Sequence, residues 1–200
     1  MTQLGPIGPR DEIQAAIQHT GCRVRSDPAR GGMVAIDCPT YEARAALVDA
    51  MAWRDAFQDG AVRLLALDLT RDLPTLADHE QIARRIHAAV RDRVRYVGEA
   101  GDVIQDPLVT WELAAGDCDC VARLILGLLR SLAVPCALCA FLVDGSDEGG
   151  PEVRHACATW ERGPADFVWL EATLAADFGE HPLDAAARLF GASNARPDLR

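Results

Sequence analysis

The chain has 200 residues, half of them apolar, which is enough to bury one sizeable core and too few for two full-sized domains. Its 20 basic and 30 acidic residues leave a formal charge of −10, which argues against a nucleic-acid partner or an anionic membrane surface, because both need concentrated positive potential. Every basic residue is an arginine, so the chain offers no ε-amine of its own as nucleophile or acyl acceptor.

Seven cysteines, an odd number at irregular spacing in a chain too large to need staples, fit a reducing compartment. Met1 to Arg10 lacks the basic-then-apolar pattern of a signal, and no apolar run approaches membrane-spanning length. The expectation is a cytoplasmic protein, or one associated with a virion.

In chain order, residues 1 to 10 are Gly- and Pro-rich, and Asp11 to His19 has short helical periodicity. Cys22-Arg23-Val24-Arg25 and Met33-Val34-Ala35-Ile36-Asp37 read as two strands of a hairpin, with residues 27 to 32 as its turn. Pro39-Thr40 opens a helix from Tyr41 to Phe57, which Asp59-Gly60 stops. Residues 1 to 60 thus form an N-terminal α/β extension in which no chemistry stands out, and residues 61 to 200 carry the rest.

Val62 to Leu69 puts Val62, Leu65, Ala66 and Leu69 on one helical face. Leu76 to Val94 is an amphipathic helix with Ile82, Ile86, Ala89, Val90 and Val94 inward. Tyr96 to Leu113 reads as a long irregular passage, the kind of loop that often carries function.

It runs into Gly116-Asp117-Cys118-Asp119-Cys120, a turn and N-cap signal followed from Val121 to Leu132 by apolar residues on nearly every side of a helical wheel. Such a helix is buried. Cys118 falls in its first turn, where unpaired N–H groups and the positive dipole end favour thiolate over thiol, while Asp117 and Asp119 oppose it unless they point elsewhere. Cys136 to Val143 follows as a buried strand, then Val153 to Glu161 and Phe167 to Glu171 as an antiparallel pair around Arg162-Gly163-Pro164. Pro182 to Phe190 closes as a helix. The expected fold class is α+β, a central buried helix packed on an antiparallel sheet.

A thiol nucleophile needs a base to take its proton, and the base needs an acceptor to fix its tautomer. His155 near the start of one strand and Glu171 at the end of the next are brought together by antiparallel pairing. With Gly116-Asp117-Cys118-Asp119 opening a helix, Leu128-Leu129-Arg130-Ser131-Leu132-Ala133-Val134-Pro135 after it, His155 in a strand and Trp169-Leu170-Glu171-Ala172-Thr173, the chain resembles the transglutaminase-like superfamily, especially its compact bacterial and phage-encoded members. Val90-Arg91-Asp92-Arg93-Val94-Arg95-Tyr96-Val97 resembles the segment preceding the cysteine loop there, and the likeness spans about residues 62 to 175.

The resemblance implies a papain-like core, Cys118 as nucleophile, His155 as base and Glu171 as the group orienting it. Glu171 stands where the family usually has aspartate, one methylene longer, with Asp166 as a stand-in. It further implies acyl transfer at an amide or peptide bond of a protein, peptide or peptidoglycan substrate, with no cofactor. Hydrolysis is preferred over crosslinking, since nothing marks a tunnel that keeps water from a thioester. Trp111 is a candidate wall of the substrate cleft.

Two other readings stay open. One is a non-catalytic phage or virion assembly protein on the same fold. The other is a structural zinc site built from Cys118, Cys120, Cys136, Cys139, His155 and Cys157. Against zinc, Cys136 and Cys139 point to opposite faces of a strand, and Cys118 and Cys120 lie about 200° apart around a helix.

Overall fold

The computed structural model describes residues 17–18, 21–26, 33–74, 78–98, 103–143 and 153–190. The readings for residues 1 to 10, most of Asp11 to His19, and the turns at 27 to 32 and 144 to 151 lie outside the described residues, as does the end from residue 191.

The elements run β1 (Arg23–Ser26), β2 (Met33–Asp37), α1 (Tyr41–Gln58), α2 (Gly60–Thr70), α3 (His79–Arg93), β3 (Arg95–Tyr96), β4 (Val103–Gln105), α4 (Pro107–Leu113), β5 (Ala115–Gly116), α5 (Cys118–Ser131), β6 (Cys136–Val143), β7 (Val153–Gly163), β8 (Asp166–Leu170) and α6 (Pro182–Phe190). The fold is α+β, as its pattern predicts. Helix starts are written into the sequence. Thr40, Asp59, Asp106 and Asp117 each accept a backbone N–H of the helix they open, and Asp78 with Gln81 forms a reciprocal capping box.

Helix α5 is the axis of the molecule. Every residue from Asp119 to Ser131 is buried, with Leu124, Ile125, Leu126, Leu128 and Leu129 fully withdrawn from water. At about 1.5–3 kcal/mol for each large apolar side chain, those five fix where the helix must lie. Around it pack α1, α2, α3 and α4 together with β6 and β7. Antiparallel β6–β7–β8 covers one flank, with Ala158, Trp160 and Leu170 in the same apolar cluster as α5.

The passage from Tyr96 to Leu113 is more ordered than its composition suggests. Met33, Val34 and Ala35 of β2 pair antiparallel with Gln105, Ile104 and Val103 of β4, a contact between segments some 70 positions apart that no local pattern announces. Asp106-Pro107, read from the sequence as part of a loop, is the cap and first turn of α4. Ala114 then turns the chain in the left-handed region, with φ of 51°, and β5 pairs parallel with β3.

One reading is corrected. The cysteine count suggested thiols held reduced, yet Cys22 and Cys38 form a disulfide. The reason is register: Arg23 opposes Asp37, so the next pair outward in the hairpin sets Cys22 against Cys38, with Cα atoms 4.2 Å apart. Among the described residues, Cys118, Cys120, Cys136, Cys139 and Cys157 take part in no disulfide. No helix among those residues is long and apolar enough to cross a membrane.

Candidate active site

Cys118 is the first residue of α5, half-buried, between the N-cap Asp117 and the buried Asp119. Asp117 Oδ1 accepts the Cys120 N–H at 2.9 Å and its carbonyl accepts the Val121 N–H, which fixes the opening turn. Gly116 is required at its position. A Cβ there would lie 2.9 Å from Cys120 Cβ and 3.2 Å from Thr110 Cγ2, so the chain enters the helix through a gap that admits no side chain. Cys120 is a strut: its sulfur accepts the Gln105 N–H at 3.2 Å and joins α5 to β4.

His155 lies in β7 and Glu171 one residue beyond β8. Ala158 pairs with Leu170, so the register carried one step further sets Glu171 opposite Cys157, and His155, two residues along, is its diagonal neighbour on the same face. A diagonal pair is too widely spaced for short side chains, and the longer glutamate closes the gap. His155 Nε2 lies 2.5 Å from Glu171 Oε2. The other oxygen, Oε1, accepts the Thr173 N–H at 2.6 Å, the Leu174 N–H at 3.0 Å and the Thr173 hydroxyl. Cys118 interacts with the His155 side chain closely enough to raise the pKa of the imidazole.

The electrostatics follow from these contacts. Burial opposes charge on His155, but the hydrogen bonds to Cys118 and Glu171, with their negative charges, outweigh it and raise its pKa to about 10. Burial likewise disfavours the charged form of Glu171, yet His155, Thr173 and Leu174 hold its carboxyl below the ordinary value. The other thiols are set differently. Burial pushes Cys136 up to about 12, lifts Cys139, and raises Cys157 well above an ordinary thiol. A thiol, an imidazole and a carboxylate that interact in this way are the groups needed to move a proton from sulfur to ring and hold the resulting cation.

Two supporting residues escaped the sequence reading. His87 of α3 is buried, and its Nε2 donates to the Glu171 carbonyl at 2.9 Å. Burial lowers its pKa, which keeps the ring neutral. Its signal was a lone histidine on the apolar face of an amphipathic helix, which by pattern alone is indistinguishable from packing. Arg44 of α1 pairs with Asp119 Oδ2 and sits 3.8 Å from Asp117 Oδ2. The sequence offered no signal that these segments meet.

Trp111 is occupied elsewhere. It packs against the main core from α4, the Arg93 guanidinium lies 4.5 Å from its ring centre, and its carbonyl accepts from Arg93 Nε. Asp166 is bound by Arg162 on the exposed hairpin turn, not at His155. Cys136 enters the main core while Cys139 packs with Cys157, Trp169 and Leu183, and among the described residues no three His, Cys, Asp or Glu side chains converge as metal ligands.

Among solved structures, a candidate cysteine protease from Cytophaga hutchinsonii is similar over 56% of this chain and 37% of its own, with a TM-score of 0.43 and 19% identity. A candidate protease from Parabacteroides distasonis is similar over 64% of this chain and 30% of its own, with a TM-score of 0.42 and 13% identity. The chain thus matches about a third of the length of each of those proteins. No curated protein matches it. The profile of the Transglutaminase-like superfamily matches residues 66–175, more than half of the chain and the stretch from the second half of α2 to just beyond Glu171, and to that superfamily the chain belongs.

Proposed function

We propose that the protein is a cysteine-dependent acyl-transfer enzyme that cleaves an amide or peptide bond, with Cys118 as nucleophile, His155 as its base and Glu171 as the residue that orients His155. The observation that carries this reading is the contact of His155 Nε2 with Glu171 Oε2 at 2.5 Å, beside a Cys118 that raises the imidazole's pKa from the opening of α5. His155 takes the thiol proton, and the thiolate attacks the amide carbonyl carbon. The carbonyl oxygen becomes an oxyanion that the Cys118 backbone N–H, at the opening of α5, is placed to receive. Collapse of the adduct expels the amine, which takes a proton from the imidazolium, and leaves a thioester on Cys118. Water, activated by the now neutral His155, releases the acid.

Hydrolysis is preferred to crosslinking on the reasoning that a crosslinker must shelter its thioester from water until an amine arrives. The substrate class is a protein, peptide or peptidoglycan amide. The acidic surface would attract cationic chains, which keeps amine transfer as the competing outcome.

The test incubates wild type and Cys118→Ala with a glutamine-containing protein plus a labelled primary amine, then with peptides and peptidoglycan fragments. Release of acid that requires Cys118 is the expected result. Amine incorporation that requires Cys118 would replace hydrolysis by transfer. Inactivity on every donor, with Cys118 alkylated no faster than the free thiols Cys136 and Cys139, would overturn the enzyme reading in favour of an assembly role.

A further inference from the structure

A cysteine that is to act as thiolate is flanked here by two carboxylates, an arrangement that by itself favours the protonated thiol. Asp117 is the N-cap residue and Asp119 is 3% exposed, buried one residue beyond Cys118. The compensating cation comes from outside the superfamily match, which begins at residue 66. Arg44, in the first turns of α1 with its side chain only 12% exposed, bonds through Nε to Asp119 Oδ2 and approaches Asp117 Oδ2 to 3.8 Å through an Nη.

We propose that Arg44 is a positioning residue of the thiol site: reaching across from α1, its guanidinium neutralises the two carboxylates that flank Cys118 and so permits a thiolate–imidazolium pair between Cys118 and His155. This rests on the acyl-transfer reading above. It gives the N-terminal segment, which the sequence left without a role, a part in the chemistry. Two further observations agree with it. Helix α1 is held to α5 at other points, by the buried Arg123–Asp55 pair and by Arg130 with Asp49, so Arg44 is presented from a fixed frame. Burial raises the carboxyl of Asp119 above its ordinary value, and Arg44, ahead of His155, is the contact that opposes that rise.

The ionisable groups facing the site are Arg44 and Tyr41 from α1, Tyr96 from β3, Asp117 and Asp119 from α5, His155 from β7 and Glu171 beyond β8. Burial and the neighbouring carboxylates raise Tyr41, and Tyr96 likewise, so both phenols stay neutral in the working range. Among the described residues, Arg44 is the cation in direct contact with Asp117 and Asp119, with His155 as the second positive group acting on Asp119.

The experiment measures the rate of Cys118 alkylation by iodoacetamide from pH 5 to 9, by mass mapping of the intact chain, with circular dichroism to establish that each variant is folded. Arg44→Met is expected to slow alkylation at neutral pH by about tenfold or more, the size of one uncompensated neighbouring charge at a protein-like dielectric. The defect should shrink toward the alkaline end of the range, because a thiol whose pKa has been raised still ionises once the pH exceeds it. Arg44→Met/Asp119→Asn should recover most of the rate, Arg44→Lys should stay within about threefold of wild type, and the pH profile is the readout that a purely structural role of Arg44 would not move.

An Arg44→Met variant that is folded and alkylated at the wild-type rate throughout overturns the proposal while leaving the acyl-transfer reading intact, as does a double variant that is folded yet as slow as the single one. Should Arg44→Met not fold, Asp119→Asn carries the test alone: removing a charge that opposes the thiolate must hold or raise the rate, and a fall in the folded protein overturns the proposal. A wild type in which Cys118 is not the fast thiol instead removes the acyl-transfer reading beneath it.

Discussion

Glu171 reaches His155 across a strand diagonal, with Oε2 2.5 Å from Nε2, where the resemblance led one to expect the shorter aspartate. The extra methylene is matched to the register. Glu171 sits opposite Cys157 rather than opposite His155, and its second oxygen is caught by the turn at Thr173 and Leu174. Glu171→Gln keeps the shape but removes the charge that supports an imidazolium, and it should lower turnover by about a hundredfold or more with little loss of fold. Glu171→Asp, the family's usual residue, should do nearly as badly, because the shortened carboxylate cannot hold both the turn and the ring. Initial rates on whichever amide donor proves active, with a thermal melt on each variant, check both; a Glu171→Asp enzyme at wild-type rate would remove the argument from register.

Much of this candidate site is legible in the sequence, and the reasons are local. Cys118 announces itself by a cap, a turn and an all-apolar helix, signals that act over a few residues. His155 and Glu171 are joined by a hairpin, so their separation in sequence fixes their separation in space. What stayed hidden is long-range. The β2–β4 pairing, the Asp119 contact of Arg44 and the His87 bond to the Glu171 carbonyl join residues whose own segments read as ordinary surface, hairpin or core. Arg123 and Arg130 could have raised a question, since seven residues apart on a helix apolar all round they share a face and need buried partners, but nothing in the sequence named Asp55 or Asp49. The Cys22–Cys38 disulfide was within reach: both residues border strands already read as a hairpin, and counting outward from the paired residues would have opposed them.

The two buried histidines should pull stability in opposite directions with pH. His87 has a lowered pKa in the folded chain because burial disfavours its charge. Its contribution is therefore present above the unfolded value of about 6.5 and lost as pH falls below it. His155, raised to about 10, contributes in full below about pH 6.5, and its contribution is lost as pH rises through 10. Melting temperature should therefore peak near neutrality. His87→Gln, which keeps a donor for the Glu171 carbonyl without a titrating ring, should flatten the limb between about pH 5 and 6.5, and His155→Gln the limb between about pH 7 and 10. An unchanged acid limb in His87→Gln would mean that other groups set it.

The buried pair between Arg123 and Asp55 tests what anchors α5. Arg123 is 2% exposed, its Nε and Nη2 meet the two Asp55 oxygens at 2.6 and 2.9 Å, and Nη1 donates to the Gln105 carbonyl at 2.8 Å. One guanidinium thus ties α1, β4 and α5 together within two turns of Cys118. Bringing two charges out of water costs several kcal/mol per ion, which their attraction roughly offsets, so the pair as a whole adds little net stability. Losing one partner is another matter, because the other stays buried with only a more distant counter-charge, Arg54 at 3.4 Å for Asp55 or Asp106 at 3.8 Å for Arg123. Asp55→Leu alone and Arg123→Met alone should each destabilise by about 3–5 kcal/mol in urea unfolding, whereas Asp55→Leu/Arg123→Met should recover most of that loss. The recovery would not extend to the site. Gln105 would lose the donor to its carbonyl, and β4, which also holds Cys120 through the Gln105 N–H, would be free to shift against the opening of α5. The double variant should therefore be nearly as stable as wild type and measurably slower in Cys118 alkylation; equal stability with an equal alkylation rate would show that the pair holds the fold and leaves the thiol untouched.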